Sequence, residues 1–156
     1  MQVEFINPFV ESSINTFDTM LGQRLKRTSL QVKDKGFGAL PVQAVIGISG
    51  NVVGTAVLGM TSEIACMAAA KMLMVDEIKE VNDDVVDAVG ELLNIITGGA
   101  KARLNNGDYA LGLSLPNVVV GKGDIRFPSE VQPVVIGFEC EWGEVTIEVG
   151  FVHTPE

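Results

Sequence analysis

Several things are scarce in this sequence, and each scarcity narrows what the chain can do. Among 156 residues there is a single histidine, His153, and there are two cysteines, Cys66 and Cys140. The cysteines lie far apart and form no CxxC pair, so they read as small buried hydrophobes of an intracellular protein rather than a disulfide. No His/Cys cluster has the spacing of a metal site, and no Ser-His-Asp set can be assembled around His153. Basic residues are few, 11 Lys and Arg against 20 Asp and Glu, a net charge of −9. That balance argues against nucleic acid, which needs a basic footprint, and against docking on an anionic membrane. No apolar run approaches the ~18 residues of a membrane span. The opening Met1-Gln2-Val3-Glu4-Phe5 has no basic n-region and no long apolar stretch, so no signal peptide is expected and a cytoplasmic location is. Gly121-Lys122-Gly123-Asp124 lacks the P-loop pattern and opens no helix.

What remains is an ordinary globular composition, 47% hydrophobic and 20% charged. Its length suits one domain over residues 1–156, able to bury a core without a staple. Apolar residues from Phe5 to Leu21 recur at helical offsets, with Pro8 suited to a first turn and Gly22 to a stop. A strand is expected over Arg24–Lys35. Two more, Val42–Ile48 and Val52–Met60, flank Ser49-Gly50-Asn51, where Gly and Asn accept positive φ in a hairpin. Thr61-Ser62-Glu63 can cap a helix over Ile64–Met74. A long helix follows from about Asn82 to Leu104, capped by Asn82 or Asp83 and stopped by Asn105-Asn106-Gly107. One strand is expected over Ala110–Val120, then a hairpin whose arms alternate at Val134, Ile136, Phe138, Cys140 and at Val145, Ile147, Val149, Phe151.

PVQAVIGISGNVVGTAVLGM (41–60) resembles PVVIGFECEWGEVTIEVGF (133–151). Each copy follows a helix and a strand. The expected fold is therefore α+β, a pseudo-twofold repeat of helix–strand–hairpin with long helices packed on a largely antiparallel sheet.

The long helix has an informative pattern. At ~100° per residue, Asp84, Asp87, Glu91, Asn94, Gly98 and Lys101 share one narrow face. Val85, Val86, Val89, Leu92, Leu93, Ile96 and Ala100 fill the opposite arc, which leaves the polar stripe exposed. A solvated helix face has such a stripe too. Two features are less ordinary. Gly98-Gly99 inside a helix costs about 1 kcal/mol per Gly relative to Ala. The pair either flattens the stripe for another surface or allows close packing within the chain. Gly90, beside Glu91, keeps the flank of the stripe clear.

VVDAVGELLNIITGGAKARL (85–104) resembles the signature helix of the CheC, CheX and FliY chemotaxis phosphatases: Asp or Ser, three residues, Glu, two residues, Asn, then a small or Gly-rich turn. Asp87, Glu91 and Asn94 occupy those places. INPFVESSINTFDTMLG (6–22), the 41–60 hairpin and PNVVVGKG (116–123) are similar to further family segments in the same order. The fold implied is the CheC-like one. In CheC-like proteins both halves carry Glu-x-x-Asn, whereas here Glu11 and Asn15 are spaced by four. One site per chain is expected, the CheX pattern, and the resemblance implies a homodimer.

The implied activity is hydrolysis of the aspartyl phosphate of a CheY-like response regulator. That partner brings its own Mg²⁺ and Lys, so the resemblance implies no cofactor in this chain. What is missing is an oriented water. An amide cannot act as a base but can hold water in line, as Gln does in GTPases. Asn94 and Glu91 are the expected catalytic residues, Asn94 placing water and Glu91 pairing with the partner's Lys. Asp87, Gly98 and Lys101 are expected partner contacts, although Asp87 also suits the N-terminal end of a helix dipole. The competing reading is a non-catalytic adaptor that binds a phosphorylated regulator, for which the Glu91/Asn94 pair is unnecessary.

Overall fold

The computed structural model describes residues 3–34, 37–105, 111–121, 123–128 and 130–153. They form α1 (Val3–Leu21), β1 (Lys26–Val32), β2 (Val42–Gly50), β3 (Val52–Met60), α2 (Ser62–Leu73), α3 (Asp83–Asn105), β4 (Leu111–Leu113), β5 (Asn117–Val120), β6 (Val134–Cys140) and β7 (Gly143–His153). The seven strands make one sheet in the order β1-β6-β7-β3-β2-β4, with β5 also on β2. Every pairing is antiparallel.

This order gives the sequence repeat a physical meaning. Exchanging the two halves converts β1 into β4/β5, β2 into β6 and β3 into β7, and the strand order reads the same backwards. The halves are interlaced rather than adjacent. β1 of the first half pairs with β6, β5 of the second pairs with β2, and β3 and β7 join at the centre from Val52↔His153 to Met60↔Val145. Neither half has a complete sheet without the other.

One face of the sheet carries the main core. Val42, Ala44, Ile46, Leu58, Ile136, Phe138, Ile147 and Val149 cluster there with Phe5, Phe17, Ile64, Val89, Leu92, Leu93 and Ile96 of the helices. Phe151 packs its ring 5.3 Å from Phe5 and 5.9 Å from Phe9. Burying a side chain of this size contributes about 1.5–3 kcal/mol. The other face is covered by loops, and it holds an ion pair: Lys33 Nζ lies 2.6 Å from Glu148 Oε1 and 2.6 Å from Asp124 Oδ1.

Several expectations are corrected. Helix α1 starts at Val3, so Pro8 lies inside it rather than in its first turn. Gly22 (φ +66) does end it, with its N–H donated to the Asp18 carbonyl. At the first hairpin only Gly50 (φ +110) takes a positive φ; Asn51 does not. The single strand expected over 110–120 is two, broken at residues 114–116. There Ser114 donates its N–H to the Gly47 carbonyl and accepts the Gly47 N–H on Oγ, and Pro116 has no N–H to offer a ladder. Strand β1 is shorter than the segment expected and exposed along its whole length. Lys35, Asn106, Gly107 and Ala110 lie outside the described residues.

Candidate functional site

Helix α3 begins where its chemistry dictates. Asn82 Oδ1 accepts the Val85 N–H at 3.0 Å, and Asp83 and Asp84 sit in the positive first turn. Val85, Val89, Leu92, Leu93, Ile96 and Ala100 are fully buried, and this fixes the rotation of the helix. Asp84, Asp87, Glu91, Asn94 and Gly98 are all exposed as a result, and Lys101 at the end of the stripe is half-buried. Glu91 and Asn94 are three residues apart, about 4.5 Å along the axis, on one surface. Among the described residues neither side chain makes a hydrogen bond or ion pair inside the chain. Both are presented to solvent on a helix that is itself held firmly.

Side-chain contacts add to that firmness, two of them to α1, and the sequence did not announce them. Ser12 of α1 donates Oγ–H to the Ile96 carbonyl at 2.6 Å in a buried setting. Thr97 Oγ donates to the Leu93 carbonyl at 2.9 Å, one turn from Asn94. Arg103 donates to the Gly99 carbonyl at 3.0 Å while its Nε lies 3.3 Å from Glu11 Oε2. Hydroxyls at Ser12, Ser13 and Thr16 on the otherwise apolar buried face of α1 were the available signal.

The glycine pair divides in two. A Cβ on Gly99 would collide with Ser12 Oγ, so Gly99 serves close packing of α1 on α3. A Cβ on Gly98 would meet nothing within 4 Å. The reading of Gly90 as an open flank is corrected: it is buried, and a Cβ there would sit 3.6 Å from Pro116 and from Val118. It seats α3 on the segment that enters β5.

Comparing α1 with α3 also corrects the pairing of Glu11 with Asn15. Buried positions of the two helices match at an offset of 80 residues: Phe5, Phe9, Ser12, Ser13 and Phe17 against Val85, Val89, Leu92, Leu93 and Thr97. Glu11 then stands at the place of Glu91, and Ile14, not Asn15, stands at the place of Asn94.

A model of the family described as chemotaxis phosphatase CheX matches residues 42–139, more than half of the chain. The chain belongs to the CheX family. It is similar over its whole length to solved CheX and CheC-like structures. A CheC-like superfamily protein from Shewanella sp. PV-4 is 32% identical, with 97% of this chain and 99% of that one covered and a TM-score of 0.89. The chemotaxis protein CheX from Vibrio vulnificus is 31% identical, with 96% and 100% covered and a TM-score of 0.89. The CheX of a CheX–CheY–BeF₃–Mg²⁺ complex from Borrelia burgdorferi shares the fold at a TM-score of 0.82 and 18% identity, with 96% and 99% covered. No curated protein sequence matches the chain. The Glu91/Asn94 helix is therefore part of a CheX-family α+β domain, inside the region that the family model covers.

Proposed function

We propose that this chain is a phosphatase that hydrolyses the aspartyl phosphate of a CheY-like response regulator, using the exposed stripe of α3. The observation that carries the reading is the pair Glu91 and Asn94, both exposed and without side-chain partners among the described residues, on a helix of a CheX-family domain whose rotation is fixed by its buried face. The Borrelia relative supports the partner class, since its crystal structure is of a complex with CheY. Beryllium trifluoride in that complex stands in for a phosphoryl group, and the magnesium accompanies it, consistent with a partner that brings its own metal.

In the proposed reaction an acyl phosphate and water give a carboxylate, inorganic phosphate and a proton. Water oxygen attacks phosphorus as the bond to the aspartyl oxygen breaks, and the aspartate leaves as the free carboxylate. Asn94 enters the partner's site and holds the water in line through its amide. The amide offers both a donor and an acceptor and never competes as a base. Placing water in near-attack geometry is worth several kcal/mol. Glu91, one turn earlier, pairs with the partner's cationic side chain and fixes the register. Asp87, Gly98 and Lys101 contact the same partner, Gly98 by letting its surface approach the helix backbone. The reading places this chain in the cytoplasm. We further propose a homodimer, for which β1 provides an open edge with Leu30 44% and Val32 55% exposed. Sedimentation showing only the 16.6 kDa species at high micromolar concentration would count against it.

The test is Asn94→Ala beside Glu91→Ala, each assayed for melting temperature, affinity for a beryllofluoride-activated regulator and single-turnover dephosphorylation. Asn94→Ala should cut the rate about 100-fold with near-normal affinity, and Glu91→Ala should weaken affinity and rate together. Neither should lower stability by more than about 0.5 kcal/mol, because both side chains are exposed. Near-normal turnover by Asn94→Ala would sink the water-positioning role and favour the adaptor.

A further inference from the structure

The polar stripe of α3 supplies charges and an amide but no apolar side chain: it is Asp84, Asp87, Glu91, Asn94, Gly98 and Lys101. Exposed ion pairs contribute little to holding two proteins together, and the centre of a specific contact is depleted in charge. A partner's affinity would therefore draw on apolar surface beside the stripe. On one side α3 is bordered by α1, through Ser12 Oγ on the Ile96 carbonyl and Glu11 on Arg103. On the other side lies the break between β4 and β5. Gly90 follows Asp87 by three residues and precedes Asn94 by four, so it shares their side of the helix. A Cβ on Gly90 would sit 3.6 Å from Pro116 Cγ and 3.6 Å from Val118 Cγ2.

Leu115 precedes Pro116 through a trans peptide bond, so their Cα atoms are about 3.8 Å apart. Leu115 is 85% exposed. Among the described residues Met74 is the one large apolar side chain that is more exposed, and it has a local reason. It ends α2 in the left-handed conformation, with its N–H on the Ala70 and Lys71 carbonyls. Leu115 instead stands on a segment that is pinned on both sides. Ser114 and Gly47 exchange hydrogen bonds of 2.9 and 2.8 Å, and the ring of Pro116 fixes its φ. The side chain is thus presented from a held position, and little ordering is lost when a partner covers it. Val120, two residues beyond Val118 on the same face of β5, is exposed as well and continues the apolar edge.

We propose that Leu115 is an apolar docking contact for the phosphorylated regulator domain that α3 receives, on the side of the helix that carries Asp87 and Asn94. The proposal rests on the reading of α3 given above. It adds what the partner must present: an apolar patch bordering the cationic group that pairs with Glu91. The occupant is that regulator rather than a second copy of this chain, because Leu115 adjoins the stripe and a partner seated on Glu91 and Asn94 covers it too. Leu115 is a docking residue and not a catalytic one, since it has no donor or acceptor with which to hold water. Its loss should raise the concentration needed for binding and leave the saturated rate alone.

The experiment compares wild type, Leu115→Ser, Leu115→Met and Val53→Ser. Val53 is an exposed apolar residue on the sheet face opposite that of buried Val52, so it controls for losing such a group elsewhere. Each protein is assayed for melting, sedimentation, affinity for a beryllofluoride-activated regulator, and single-turnover dephosphorylation with this chain in saturating excess. Leu115→Ser should weaken binding about tenfold, while Leu115→Met and Val53→Ser bind like wild type. The saturated rate of Leu115→Ser should stay within about twofold of wild type. A folded Leu115→Ser that binds like wild type overturns the proposal, and if Glu91→Ala still binds weakly the α3 reading stands. Equal weakening by Val53→Ser, or a slower saturated rate at unchanged affinity, also overturns it. So does altered sedimentation of Leu115→Ser, which would assign Leu115 to an interface between copies. A wild type that neither binds nor dephosphorylates any regulator overturns the α3 reading and this proposal with it. If Ser lowers the melting temperature, Leu115→Ala decides by the same criteria.

Discussion

Carboxylates are used in opposite ways on the two sides of this molecule. Behind the sheet, Glu148 is 1% exposed, lies in register between Val57 and Val135, and has Lys33 at 2.6 Å. Lys33 in turn donates to Asp124 and to the Ile125 carbonyl, and its ammonium sits 5.3 Å from the Phe37 ring and 5.2 Å from the Phe127 ring. On α3, Asp84, Asp87 and Glu91 stand in water with no cation opposite them among the described residues. The buried arrangement fixes its partner through the fold, so it cannot serve a second protein. The exposed one contributes little to stability, so what it gains must come from outside the chain. On the proposed function, stability and activity rest on separate sets of charged groups, and single substitutions should separate them.

The largest effect on stability is expected at the Lys33 clamp on Glu148 and Asp124. Lys33→Met leaves Glu148 in a buried site without its cation, where it must stay charged unpaired or take up a proton, and breaking such a pair costs about 3–5 kcal/mol. For a domain of this size that lowers the melting temperature on the order of 10 °C. Dephosphorylation below the melting range should be unchanged. Restoring stability with Lys33→Met/Glu148→Met would show that the unpaired charge, and not lost packing, is responsible. A Lys33→Met protein that melts like wild type would break the comparison.

The same group should give a pH signature. Burial pushes the Glu148 carboxyl above its ordinary value, Lys33 opposes that shift and Asp124 adds to it. A carboxyl raised in the folded state binds its proton more tightly there than in the unfolded chain. Its favourable contribution is therefore complete below the unfolded value of about 4.3 and is lost as pH rises through the higher folded value. Glu148→Gln should remove this fall, so the stability difference between wild type and variant should drift against wild type as pH rises through that window. A difference that is flat with pH would mean the carboxyl is not raised.

The glycine pair offers a smaller contrast within a single turn. Gly99→Ala drives a methyl into Ser12 Oγ and disturbs its bond to the Ile96 carbonyl, at a cost of about 1–2 kcal/mol. Gly98→Ala meets nothing and removes a glycine from a helix interior, so it should stabilise by about 0.5–1 kcal/mol. If Gly98 is open for a partner, that more stable protein should bind an activated regulator less tightly. Denaturant melts and a binding titration on both variants check the two signs.

Much of this was readable from periodicity. The burial of α3, the caps at Thr61 and Asn82, both hairpins and the repeat follow from local pattern, because each depends on residues within a few positions of one another. The interlacing did not follow. Pairing β1 with β6 and β5 with β2 joins distant segments, and alternation tells which face a side chain takes but not which strand lies beside it. The clamp was hidden for a related reason. Glu148 falls on the polar beat of an alternating strand, which reads as solvent-facing, and only the fold brings Lys33 and Asp124 to it. At the site, the period exposed Glu91 and Asn94 correctly. It could not align α1 with α3, since spacing alone offered Asn15 while Ile14 fills the equivalent position.

That alignment makes the smallest prediction the most discriminating about symmetry. Asn15 is exposed and one residue off the stripe, about 100° around the helix from Ile14. It lies off the line Glu4, Glu11, Ile14 and Asp18 that matches Asp84, Glu91, Asn94 and Gly98 at the offset of 80 residues. Asn15→Ala should therefore leave dephosphorylation within about twofold of wild type and melting within about 0.5 kcal/mol, as for an ordinary surface position. A rate loss approaching that of Asn94→Ala, with folding intact, would mean that α1 already works with a different register. Asn15 would then act as its amide, and the offset of 80 residues would describe the packing of the helices without describing their chemistry.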